Sequence, residues 1–473
     1  MRYTVAELFN LWKRNEITEP IKVGGWIEFK RENGDNFYFL VIRDGSSFKT
    51  VQAVCNLPTF KREEEFKSLG HAPRGSSVLL KGKLVKSPSK GQDFELEVIS
   101  SKVLGLVDES YPLLKARLPL ENLRNIPHLR MRTKTFQAVG IIRNTLQFET
   151  HKFFNKLGFI QVATPLITSN DCEGAGETFD VVKGKSNFFG SDAHLTVSGQ
   201  LHVETFAHAF EKVYTFGPTF RAENSNTSRH LAEFWMIEPE MSFITFHELM
   251  NNMEMYLKYV CSKILTEHRD ILEFFEQYYE KGLIQRLEGV AKIGESFFRK
   301  KYDDCLKFLL KEIECGNIVI DKETKRLENG TLVLNKIPVF GDDFGSEIEK
   351  YLVEEFGNKP FFITHFPKKL KSFYMKVDEN PLLVEACDLL VPGVGELMGG
   401  SMREENLEKL RDTMKEKNVA EEGLEWYIDM RKHGTVPHGG YGVGFERLIC
   451  YVTGMKNIRD VIPFFRAPGQ CFA

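Results

Sequence analysis

The chain has 473 residues, 42% hydrophobic and 27% charged, with a net charge of −3 and a pI near 6.5. That length suits two or three domains with separate cores, and the composition excludes a disordered chain or a fibre. A near-neutral balance excludes a bulk polycation, so contact with nucleic acid has to come from local basic patches, and no apolar run is long enough to span a bilayer.

The first residues, MRYTVAELFNLWKRNE, are charged and amphipathic, without the apolar centre of a signal peptide. Thr4 and Glu7 have capping-box spacing for a short helix. Eight cysteines are scattered with no CxxC pair, which speaks against a zinc site or disulfide framework and for free thiols in a reducing cytoplasm.

From Ile21 to Val107 five short β-prone runs are divided by turns, with a helix expected over Thr59 to Leu69. This is the pattern of a small Greek-key barrel of the OB type, a fold that binds single-stranded nucleic acid by stacking bases on aromatics beside basic residues. Phe37, Tyr38 and Phe39 follow Lys30 and Arg31 along such a strand, so Phe39 is either a stacking platform or a core residue. Lys81, Lys83, Lys86 and Lys90 form a basic face or an ordinary charged edge. A proline-marked linker, 108–132, follows and ends in HLRMRTK, a basic run suited to an RNA backbone.

The remainder, 133–473, reads as a larger domain with an uninformative insertion at about 265–338, helical and then hairpin-like. Apolar spacing predicts a helix over Thr135 to Leu157, and then a strand interrupted by Pro165, a candidate dimer contact. CEGAGETF is a glycine-bearing loop with acidic flanks, and LTVSGQLHVETFAHAF passes from strand to helix with Gln200 and Glu204 four apart on one face. Val213 to Phe243 forms a long hairpin whose charges, Arg221, Glu223, Arg229, His230, Glu233, Glu238 and Glu240, crowd into otherwise apolar strands. Charges in such a setting pair or hold a ligand, which points to a polyanion site. In ACDLLVPGVGELMGGSMREEN a strand runs into a glycine-rich turn bracketed by Asp388 and Glu396, with Arg403 expected to open a helix. Two carboxylates beside a phosphate site suit Mg²⁺. Finally, HGGYGVGFERL leads into an apolar helix whose first turn holds Arg447, an unfavourable dipole position unless an anion lies opposite.

Three of these segments together resemble class II aminoacyl-tRNA synthetases: the Pro165 unit as motif 1, the hairpin as motif 2, and Gly442-Val443-Gly444-Phe445-Glu446-Arg447 as motif 3. With the N-terminal barrel, the layout is similar to the aspartyl/asparaginyl/lysyl subgroup. The implied fold class is multidomain α+β: an OB-type anticodon-binding barrel (1–107) plus a catalytic domain built on an antiparallel sheet flanked by helices. The pocket segment Ser198-Gly199-Gln200-Leu201-His202-Val203-Glu204 lacks the lysine of aspartyl members and carries a glutamate, which is similar to the asparaginyl branch. The resemblance therefore implies ATP-dependent ligation of L-asparagine to tRNA-Asn through an adenylate, with Mg²⁺, in a cytoplasmic homodimer without membrane contact. The alternatives are an aspartyl member, possibly charging two tRNAs, and a synthetase-like asparagine synthetase.

Residue by residue, the resemblance implies that Arg221 holds the α-phosphate and Arg229 and His230 the outer phosphates. Phe234 lies under adenine and Arg447 over it, with Glu223, Leu231 and Gly444 completing the ATP site. Arg221 and Arg447 are the implied catalytic residues, and Glu396 with Asp388 the implied Mg²⁺ ligands. The amino acid meets Glu173, Ser198, Gln200, Glu204, Arg221, Glu238 and Arg403: Glu204 accepts from the side-chain amide and Arg403 donates to its oxygen. Arg31, Phe39, Gln52 and Glu97 are the implied anticodon contacts. Gly399 stands where archaeal aspartyl relatives have a metal-shell serine, so the shell differs there.

Overall fold

The computed structural model describes residues 2–16, 20–89, 91–113, 118–169, 177–184, 186–292 and 294–471. Glu173, the rest of the glycine-bearing loop through 176, and Lys90 lie outside the described residues. The chain separates into two compact units, Met1–Ile141 and Ile142–Ala473.

In the first unit, helix α1 (Val5–Arg14) starts at a Thr4/Glu7 capping box, as its spacing predicts. Strands β1 (Ile21–Glu32), β2 (Phe37–Arg43), β3 (Val51–Asn56), β4 (Ser77–Lys86) and β5 (Phe94–Gly105) close into a barrel in the order β1-β2-β3-β5-β4. Alternation sends Val23, Leu40, Ala53, Leu80 and Leu96 inward, all with no exposed surface. The inserted helix α2 begins at Glu63 and runs to His71, later than expected. Pro58 sits in a 3-10 turn (Leu57–Thr59), and the acidic run Glu63 to Glu65 favours the helix N-terminus.

The segment expected to be a plain linker has structure of its own. Short helices Leu120–Arg124 and Pro127–Arg130 cover a small cluster of Leu123, Leu113 and Phe136. Arg130 is fully buried, its guanidinium 4.4 Å from the Phe136 ring centre, so of the basic residues in the run only His128, Arg132 and Lys134 reach the surface. Helix α3 (Lys134–Lys156) follows the apolar spacing closely.

The second unit is organised by an eight-stranded sheet. Its strands are β6 (Ile160–Gln161), β7 (Lys212–Phe220), β8 (Glu233–Ser242), β9 (Phe298–Lys301), β10 (Phe361–Pro367), β11 (Leu383–Val391), β12 (Gly395–Met402) and β13 (His438–Gly444). They lie in the order β9-β10-β11-β12-β13-β8-β7-β6. The six central strands are antiparallel, whereas the edge pairs β9/β10 and β6/β7 are parallel, so the sheet is mixed. Helices α4 (Gln200–Phe210), α5 (Phe246–Glu267), α6 (Ser346–Glu355) and α7 (Phe445–Thr453) accompany it.

Three expectations need correction. The region read as an insertion from about 265 begins inside α5 and contributes β9 to the main sheet. Its expected hairpin is a three-stranded sheet in which Ile318–Ile320 runs parallel to Leu332–Leu334. After the glycine-rich turn the chain forms β12, and Arg403 bridges to Met375 instead of opening a helix. The following helix starts at Leu407, where Asn406 caps it.

Candidate functional site

The hairpin β7/β8 pairs in register from Lys212↔Met241 to Phe220↔Glu233, and β13 pairs beside β8 with Met236↔Gly444. This register carries Arg221, at the end of β7, and Phe234, at the start of β8, to the same end of the sheet as the β13/α7 turn. The turn segment 221–232 then bends over that end, with the Arg221 amide donating to the Ala232 carbonyl (3.0 Å). One cavity results, lined by Arg221, Glu223, Arg229, His230, Leu231, Phe234, Glu396, Gly444 and Arg447. These are the nine residues expected to form the ATP site, drawn from three separate segments. Gly442 and Glu446 of the same glycine-rich segment line it too, and Met236, Leu397 and Ile458 do so without having been singled out from sequence.

The cations of this cavity are only partly satisfied by protein. Arg447 donates to the Glu396 carbonyl (3.2 Å) and lies 3.5 Å from its carboxylate, which answers the unfavourable dipole position. His230 is 3.6 Å from Glu223, and the Arg221 guanidinium sits 5.5 Å from the Phe234 ring centre. Arg229 donates to the Val394 carbonyl.

The two expected metal ligands converge. Asp388 on β11 pairs with Gly399 on β12, and a Cβ placed on Gly399 would lie 3.0 Å from Glu396 Oε1 and 3.3 Å from Asp388 Oδ1. A side chain there would fill the space between the carboxylates, so glycine keeps it open. Burial pushes Asp388 up to about 6, with Glu396 adding to it against the pull of Lys371, whose ammonium lies 2.6 Å from Asp388 Oδ2. Helix α6 adds Glu349, which accepts the Glu396 N–H (3.0 Å) and is pushed up to about 7 by burial and then by Glu396. Two crowded carboxylates that gain from a cation, beside a cavity of arginines, fit Mg²⁺ held by one or two acids and substrate phosphates. Among the described residues no set of three or more metal-ligating side chains forms a closed protein cage. Lys371 and Glu349 were missed because their partners lie 17 and 47 residues away.

Behind this cavity is a second, buried set of charges. Ser198 Oγ and the Gly199 amide both donate to Glu238, the latter at 3.0 Å, and Gln200 opens α4 beside them. Arg403 donates twice to Glu240 and once to Ser401 (2.7 Å), which uses three of its five N–H groups. Gly440 is needed here, since its Cβ would fall 2.2 Å from a Glu240 oxygen.

Glu204 requires a correction. Expected to accept from a substrate amide, it has no exposed surface, and its oxygens take bonds from Arg431 (2.6 Å), His438 (2.8 Å), Tyr427 (2.9 and 3.0 Å) and Gln200 (2.6 Å). A carboxylate with about four acceptor sites so occupied has no place for a ligand donor. Burial raises its pKa, but Arg431 and His438 overcome that and hold it well below the carboxylate range. Tyr427 and Arg431, four apart on one helical face, were the available sequence signal.

On the barrel, Arg31 pairs with Phe39, Phe39 with Val54, and Val54 with Glu97, so these side chains form one row across β1, β2, β3 and β5. Gln52 stands two residues along β3 and donates to Glu95 (3.0 Å). Tyr38 points inward while Phe39 is half-buried on the outer face, with the Arg31 guanidinium 5.3 Å from its ring centre.

Two family models match the chain: class II tRNA synthetases (D, K and N) over residues 120–468, and an OB-fold nucleic acid binding domain over 21–104. An asparagine–tRNA ligase of Treponema denticola is 46% identical, covering 95% of this chain and 96% of that protein. One of Borrelia garinii is 44% identical, covering 96% and 97%. The crystal structure of asparaginyl-tRNA synthetase from Pyrococcus horikoshii complexed with asparaginyl-adenylate is 29% identical, covers both chains fully and superposes with a TM-score of 0.86.

Proposed function

The chain belongs to the class II tRNA synthetases of the D, K and N group, and from that premise we propose that it ligates L-asparagine to tRNA-Asn. Asparagine and ATP give asparaginyl-adenylate and pyrophosphate. A ribose hydroxyl of the tRNA's terminal adenosine then attacks the mixed anhydride and releases AMP. The observation that carries this reading is the 44–46% identity to asparagine–tRNA ligases over nearly the whole of both chains.

No side-chain nucleophile is needed, so the residues work by positioning and by charge. Arg221, resting beside Phe234, binds the α-phosphate and substrate carboxylate at the step where the anhydride forms. Arg229 and His230 bind the outer phosphates, and Arg447 swings from Glu396 toward the γ-phosphate when the nucleotide enters. Phe234 is the adenine platform, framed by Glu223, Leu231 and Gly444. The substrate ammonium meets acceptors, Gln200 and Glu238, which suit a cation. Arg403 donates its remaining N–H groups to the side-chain amide oxygen. Glu396 and Asp388 are the residues that would hold Mg²⁺, which when bound neutralises phosphate charge.

The row of Arg31, Phe39, Gln52 and Glu97 reads the anticodon, supported by one outward aromatic flanked by a cation and hydrogen-bonding side chains. The enzyme acts as a homodimer, supported by exposed apolar residues Ile160, Leu166, Ile167 and Phe179 around the Pro165 segment. It works in the cytoplasm, a reading supported by the described cysteines, all free thiols. The test is amino-acid-dependent ATP–pyrophosphate exchange with the purified chain. Exchange with asparagine and not aspartate is expected; exchange with aspartate alone would overturn the reading.

A further inference from the structure

The Gln200 side chain is an amide whose oxygen and nitrogen ends have the same shape, so its surroundings decide which end faces where. Here one end is fixed. Nε2 donates to Glu204 Oε2 at 2.6 Å, and Glu204 is an acceptor with no hydrogen to offer. The other end, Oε1, is buried and has no hydrogen-bond partner among the described residues, in a residue only 6% exposed. A buried carbonyl oxygen left without a donor is destabilising, so this atom is one that a ligand donor would satisfy. It belongs to the first residue of α4, next to Ser198 and Gly199, which together hold Glu238.

Glu204 in turn is held from three sides. Arg431 Nη2 donates to Oε1 and its Nε to the Glu404 carbonyl (3.0 Å), tying α4 to the chain that follows Arg403. Tyr427 donates its hydroxyl to the carboxylate. His438 has both ring nitrogens against acceptors, Val436 O at 2.7 Å and Glu204 Oε1 at 2.8 Å, so the network favours a hydrogen on each. Every side chain hydrogen-bonded to the Glu204 carboxylate is therefore a donor, which keeps that carboxylate an acceptor.

We propose that Glu204 is a positioning residue that locks the Gln200 amide, so that only the Gln200 oxygen is presented to the amino-acid substrate. This rests on the reading of Gln200 as part of the amino-acid pocket. It replaces a direct contact between Glu204 and substrate with an indirect one: Glu204 sets the hydrogen-bonding sense of Gln200, and Arg431, His438 and Tyr427 keep Glu204 an acceptor. A flipped Gln200 would present a donor to the substrate ammonium and oppose binding.

The test compares pyrophosphate exchange by the whole enzyme and by Glu204→Gln, Gln200→Glu and the double variant that swaps the two side chains. Asparagine-dependent exchange by the parent enzyme establishes the reading on which the proposal rests, so a failure of that reading is seen before any variant is compared. Glu204→Gln can offer Gln200 either end of an amide, so KM for asparagine rises about 10-fold while KM for ATP stays within about 2-fold. Gln200→Glu faces two carboxylates and loses asparagine affinity as well. The swap restores one carboxylate and one amide in contact, again with an oxygen toward the substrate, and its KM for asparagine falls at least about 5-fold below that of Gln200→Glu. The swap also carries Glu204→Gln, so melting curves of all three variants accompany the comparison, and the KM values are read on folded protein. An unchanged KM for asparagine in Glu204→Gln with a lowered KM for aspartate would overturn the proposal in favour of direct charge repulsion. A swap no better than Gln200→Glu would overturn it too.

Discussion

Two neighbouring parts of the second unit handle charge in opposite ways. In the buried cluster the pairs Arg431–Glu204 and Arg403–Glu240 have side-chain exposures of 0%/0% and 4%/0%, and hydrogen bonds from four side chains occupy the Glu204 carboxylate. In the nucleotide cavity Arg447–Glu396 is 35%/38% exposed at 3.5 Å, and His230–Glu223 is 39%/41% exposed at 3.6 Å. The carboxylates of one region are held closely by buried cations, whereas the ion pairs of the other are longer and half-exposed. The difference teaches where binding energy and where shape are stored. A site that must release its product works with half-solvated cations, whereas a pocket that must distinguish an amide from an acid works with side chains that cannot turn.

Substitutions in the two regions should therefore part company. Arg221→Ala removes the cavity cation proposed to bind the transferring phosphate. Exchange should fall by about 10⁴-fold, over 5 kcal/mol, with the melting temperature nearly unchanged; a fully active variant would break the assignment. Arg431→Met leaves Glu204 buried without its main counter-ion, and stability measured by denaturant unfolding should drop by about 3–5 kcal/mol.

Glu349 lies at the boundary between the two behaviours. Burial first, and then Glu396 and Asp388, push its carboxyl up to about 7 from an ordinary 4.5, with Arg229 opposing. A group shifted in this sense contributes stability that is present below the unfolded pKa and lost as pH rises through the folded one. Glu349→Gln should therefore gain about 1–3 kcal/mol relative to the parent between pH 5 and pH 8, read from melting curves at each pH. A parallel pH dependence in both proteins would show that Glu349 is solvated. The smallest effect is expected for the stability of Arg447→Met, under about 1 kcal/mol, because its ion pair is half-exposed. Its activity should nonetheless fall by about 10²–10³-fold.

The open region was far more legible in the sequence than the closed one. Arg221, Phe234 and Arg447 stand in compact local patterns: a hairpin that alternates on both arms, and a glycine-rich strand entering a helix. Period and turn chemistry are local, and they locate such elements well. The barrel was legible for the same reason, although the alternation alone leaves open which of Tyr38 and Phe39 faces the core, and the structure turns Tyr38 inward. The closed cluster is built from pairs 223, 227 and 234 residues apart, and no periodicity links Glu204 to Tyr427, Arg431 or His438. Glu204 stands out in the sequence because it shares a helix face with Gln200 in a segment without the lysine of aspartyl members, and its role reads there as a direct contact. Arg403 was placed at a helix start because Gly395–Met402 looked like a turn. Pairing on both sides, by β11 and β13, makes that glycine-rich stretch a central strand.

Aminoacylation of tRNA-Asn with labelled asparagine and, separately, labelled aspartate tests the central claim most directly. The account predicts stable attachment of asparagine and none of aspartate. Attachment of aspartate to that tRNA, or no attachment of asparagine, would contradict it.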